Sequence, residues 1–100
     1  MTELEIALPP QESSAVLVRA IEAALLEAGL EISLRGTLKK FPGCQHWHAR
    51  PPGKTGTLEI TLWPQAHRAW ITIQDGRTAE WIAAKLPAVR TALRSRLFSD

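Results

Sequence analysis

The sequence predicts an α+β domain: a helix, a four-stranded antiparallel meander and a second helix, with both helices on one face of the sheet and the other face open. Three observations carry that expectation. Apolar residues recur at helical spacing over residues 11–28 and again over 78–97. Between them, four stretches alternate apolar and polar residues with a period of two. The links joining those stretches are short, whereas parallel neighbours would need a long crossover.

Residues 1–10 read as a short strand, at an exposed edge or as an arm: Leu4, Ile6 and Leu8 alternate with Glu3, Glu5 and Ala7 before Pro9-Pro10 ends the pattern. In the first helix Val18, Ile21 and Leu25 form an apolar stripe, widened by Leu17, Ala24 and Ala28. Gly29 is placed to close that helix in a left-handed cap, and Pro10 and Ser13 are both able to open it. The second helix follows Asp75-Gly76, with Thr78 as its cap and Ile82, Leu86, Leu93 and Leu97 along one side. Pro87 lies inside it and is expected to kink or split it near Lys85.

The strands are expected over 31–40, 44–50, 57–63 and 68–74, joined by Pro42-Gly43, by the Pro/Gly-rich stretch 51–56 and by 64–67. Each turn implies a register. Pairing Phe41 with Cys44 sets Leu38 opposite Trp47, Lys39 opposite His46 and Thr37 opposite His48. Pairing Arg50 with Thr57 sets Trp47 opposite Ile60 and His48 opposite Glu59. Pairing Trp63 with Arg68 sets Ile60 opposite Ile71, Leu58 opposite Ile73 and Thr61 opposite Trp70. All three registers gather Ile32, Leu34, Leu38, Trp47, Leu58, Ile60, Leu62, Ile71 and Ile73 on one face. One strain remains: a Pro-Gly turn of type II splays a tight hairpin, so a bulge or longer loop at 41–44 is compatible with the pattern.

Composition bounds the class. One hundred residues make one domain, 1–100, with 45% hydrophobic and 22% charged residues as in an ordinary globular chain. The single cysteine excludes an internal disulfide and a four-cysteine zinc site, and a reducing cytoplasmic setting is the simplest expectation. No apolar run approaches the roughly 20 residues that cross a bilayer, so no membrane is expected as a partner. The net charge of +2 is unevenly spread. Residues 1–31 hold six Glu and one Arg, and residues 32–74 hold six Lys or Arg and one Glu, so the sheet is basic and the first helix acidic.

Three functional readings follow from the open face. Two tryptophans there, Trp63 and Trp70, sit among Arg68, Arg35, Lys39, His46, His48 and Arg50. Grouped aromatics and arginines anchor protein contacts, so the leading expectation is a non-enzymatic interaction module that binds a protein partner or a second copy of itself. The alternative is nucleic acid, because bases stack on rings beside a charged groove; Lys54 would join that surface. The third reading is chemical. Cys44, His46 and His48 place a thiol and two imidazoles on one side of one strand, with Glu59 beside His48 as a further metal ligand or as the acid orienting a histidine base. Residues two apart on a flat strand lie roughly 6.5–7 Å apart, so three ligands on one ion require the strand to bend. Nothing calls for an organic cofactor. The Gly53-Lys54-Thr55 stretch lacks the earlier glycine and the following helix of a phosphate-binding loop, which removes nucleotide binding there.

Overall fold

The computed structural model describes residues 1–99. It is α+β, with two helices and one antiparallel sheet of five strands. The strands are β1 (Thr2–Ile6), β2 (Glu31–Gly36), β3 (Gln45–Arg50), β4 (Leu58–Trp63) and β5 (Arg68–Ile73); the helices are α1 (Ser14–Glu27) and α2 (Glu80–Leu97). Across the sheet the order is β1-β5-β4-β3-β2, so the expected meander is present and β1 adds a fifth strand on the β5 side. β1 pairs from Thr2 opposite Ile73 to Ile6 opposite Ala69. Its Leu4 and Ile6 turn toward the core, while Glu5 forms an ion pair with Arg68.

Two of the three expected registers are found. Trp47 lies opposite Ile60 and His48 opposite Glu59; Thr61 lies opposite Trp70, Ile60 opposite Ile71 and Trp63 opposite Arg68. The first hairpin differs. Arg35, not Leu38, lies opposite Trp47, and Leu34 lies opposite His48. The ladder slips between Ile32 and Leu34, a bulge at Ser33 that reverses which side chains face inward after it. Leu34 therefore turns to the outer face, where it is 44% exposed. Arg35 turns to the helix side instead of joining the outer face with Lys39, and the chain from 37 to 44 is a loop in place of strand.

Both helices cover the inner face, where Ile21, Leu25, Trp47, Ile60, Ile71 and Val89 are fully enclosed. Ser13 opens α1, its hydroxyl accepting the Val16 N–H at 3.2 Å. Leu30 N–H donates to the Leu25 carbonyl and Gly29 N–H to that of Leu26, a Schellman closure that needs the positive φ of 83° at Gly29. α2 begins after Ala79, not at a Thr78 side-chain cap, and its helical backbone continues through Pro87. Among the described residues no helix is long and apolar enough to cross a membrane.

Glu22 on α1 ties the helix to the sheet. It accepts both Arg35 Nε–H at 2.8 Å and Nη2–H at 3.0 Å, and the Trp47 indole N–H at 2.7 Å. The Arg35 hydrogen bonds, foremost, hold its carboxyl below the usual range, against the opposing effect of partial burial. A carboxyl depressed in the folded state stabilises fully above the ordinary glutamate value of about 4.3, and that contribution is lost as the pH falls through the lowered folded value. Urea midpoints measured from pH 6 downward should therefore decline less steeply in Glu22→Gln than in the wild type; parallel declines would remove Glu22 as a source of the acid sensitivity.

Candidate functional site

The outer face divides into two ends. At one, the 37–44 loop folds back over the sheet and seats Phe41 against both tryptophans, with ring centroids 5.0 Å from Trp63 and 4.9 Å from Trp70. The Trp63 indole N–H donates to the Pro42 carbonyl at 3.0 Å, and the Arg68 guanidinium lies 4.7 Å from the Trp70 ring on that side of the sheet. Trp70 is left 3% exposed. The face expected to be open is thus partly roofed by the loop that the bulge and the early end of β2 release. Lys39 and Arg50 remain exposed, the latter 3.9 Å from Glu31.

At the other end, neighbouring strands bring ionisable groups together. β3 sends His46 and His48 outward, two residues apart, and β4 places Glu59 directly opposite His48. Glu59 Oε1 lies 3.3 Å from His46 Nε2 and 3.9 Å from His48 Nε2. The two rings meet edge-on with centroids 5.1 Å apart, their side chains leaning toward one another across the two-residue spacing. Arg77, from the turn that follows β5, puts Nη1 3.6 Å from the other carboxylate oxygen of Glu59. His46 Nδ1 is 2.8 Å from the Thr61 hydroxyl, which fixes the ring and leaves Nε2 facing the carboxylate.

The surroundings are dry at the base and open above. His46 and Glu59 are 5% and 6% exposed, with His48 nearer the surface. The cluster floors a groove of about 550 Å³ walled by Leu34, Thr37 and Leu38 on one side and by Gln74, Gly76 and Arg77 on the other. Burial, the largest influence, lowers the His46 pKa against the raising effect of the Glu59 charge, which favours the neutral ring.

The geometry is loose for a hydrogen-bonded cluster. All three contacts to Glu59 are longer than ordinary hydrogen bonds, the 3.3 Å one to His46 being the shortest. One ligand atom from each of His46, His48 and Glu59 can be chosen so that all lie within 4.8 Å of one another. Ligands bonded to zinc at 2.0–2.2 Å sit roughly 3–3.5 Å apart, so small rotamer changes suffice to close the set on an ion.

Of the residues singled out in the sequence for metal, His46 and His48 converge and Cys44 does not. The buried Cys44 Sγ accepts the Leu38 backbone N–H at 3.2 Å and braces the loop. Arg77 was not among the expected residues. Its signal was available: β5 must end beside Glu59 if Glu59 pairs with Thr72, so the turn after it borders the cluster. Comparison of the chain with protein-family models, curated proteins and solved structures found no match.

Proposed function

We propose that this chain is a metal-binding domain that holds one divalent transition-metal ion of the zinc type on His46, His48 and Glu59. The observation that carries the reading is the convergence of two imidazole nitrogens on one buried carboxylate oxygen, at 3.3 and 3.9 Å, on the floor of a solvent-connected groove. Imidazole and carboxylate are the donors zinc takes at neutral pH, and Thr61 supplies the outer partner that orients a ligating histidine. A three-residue set leaves room for water or a further ligand on the ion. The partner-binding face draws less support, because Trp63 and Trp70 are both engaged within the chain.

Titration calorimetry of chelator-treated protein with zinc tests this. One ion per chain is expected, with affinity reduced at least tenfold in His48→Ala and in Glu59→Gln and unchanged in Cys44→Ser. Absence of binding by the folded wild type, or an equal loss in Cys44→Ser, would sink the assignment.

A further inference from the structure

We propose that the metal-loaded groove binds a small oxyanion, a phosphate or a carboxylate, between the ion and the Arg77 guanidinium. This rests on the metal reading and extends it to the second ligand.

Coordination comes first. Three protein donors leave a zinc-type ion at least one position short, and that position opens into the groove and not into the core, because the donors rise from its floor. Position comes second. Arg77 Nη1 lies 3.6 Å from the Glu59 oxygen that the imidazoles do not face, and the guanidinium lines the same groove as the three donors, so it borders the space above them. The contact is too long to occupy a donor, and the side chain is 53% exposed. Among the described residues Arg77 makes one side-chain contact to an acid, the long ion pair with Glu59, and no side-chain hydrogen bond, so most of its five-donor fork is free to match two oxygens of one anion.

Charge decides the ligand's sign. Arg77 and Glu59 are the charged side chains among the described residues that line the groove, and in the metal-free protein they cancel. A divalent ion leaves a surplus of two positive charges with no further carboxylate in the lining. The remaining polar walls, the Thr37 hydroxyl and the Gln74 amide, are neutral hydrogen-bonding groups suited to an anion's outer oxygens. Anion binding should therefore depend on the metal, which distinguishes this site from a basic surface patch.

Cobalt(II) reports the outcome, because its visible absorption changes when an anion enters the inner sphere. Cobalt-loaded wild type should respond saturably to inorganic phosphate or to acetate, and metal-free protein should bind neither. In Arg77→Gln, an exposed-loop variant, the anion midpoint should rise at least tenfold while cobalt affinity does not fall. A response to phosphate alone assigns a phosphoryl ligand, and to acetate alone a carboxylate. Equal midpoints in Arg77→Gln and wild type, or no response from protein that retains cobalt, overturns the proposal. Protein that takes up no cobalt overturns the metal reading beneath it, which is a separate and recognisable result.

Discussion

Trp47→Ala is expected to lower the unfolding free energy by about 3–5 kcal/mol, the largest effect of any single replacement considered for this chain. Trp47 is 1% exposed and is the largest fully enclosed side chain. Its ring fills the space between β3 and the helices, and its indole N–H is one of the bonds that hold Glu22 over the sheet. Alanine removes the ring and leaves a cavity that two helices and a sheet cannot close without moving. A domain of this size has roughly 5–15 kcal/mol in total, so at the low end of that range the alanine variant would be near its unfolding midpoint without denaturant. Trp47→Phe keeps most of the volume and should cost about 1–2 kcal/mol, which keeps the measurement readable in urea. A loss below about 1 kcal/mol in the alanine variant would place Trp47 outside the core and reverse the facing of β3.

Phe41→Ala should cost about 2 kcal/mol and, more tellingly, uncover the second aromatic layer. Phe41 packs against both Trp63 and Trp70, and it belongs to a loop. Without it the loop keeps the Cys44 and Pro42 contacts but loses its aromatic seat on the two tryptophans. Tryptophan emission should shift to the red, and acrylamide should quench it more strongly, whereas Trp47 stays sheltered beneath the helices. Unchanged emission and quenching would mean that the loop does not roof the tryptophans in solution. The same variant bears on partner binding through this face, since it converts a filled aromatic layer into an accessible one.

The two later hairpins were legible in the sequence because both strands of each pair alternate cleanly, so parity alone fixed Trp47 against Ile60 and Thr61 against Trp70. The first was not. Residues 31–40 alternate as if they were one strand, but the extra residue at Ser33 is invisible to a period-two pattern, and it sent Leu34 out and Arg35 in. Pro42-Gly43 signalled a turn without revealing that Phe41 had a better apolar contact across the sheet than along the strand. β1 was readable as a strand, but its partner lies at the other end of the sequence and no local signal names it. At the site, His46, His48 and Glu59 followed from register, whereas the edge-on approach of the two imidazoles and the approach of Arg77 depend on side-chain and tertiary placement.

The pairing of β1 also shapes how the chain reaches its native state. Thr2 meets Ile73, and Ile6 meets Ala69, so β1 must wait for β5, the last of the five strands, before it has a neighbour. The other four strands join sequence neighbours and close short loops, an inexpensive and rapid step in entropy. Until β1 arrives, β5 presents an unpaired edge of Ala69, Ile71 and Ile73 alternating with Arg68, Trp70 and Thr72, the kind of surface on which two chains zip together. Once paired, β1 covers that edge, and its Glu5 meets Arg68 of β5 in an ion pair across the seam.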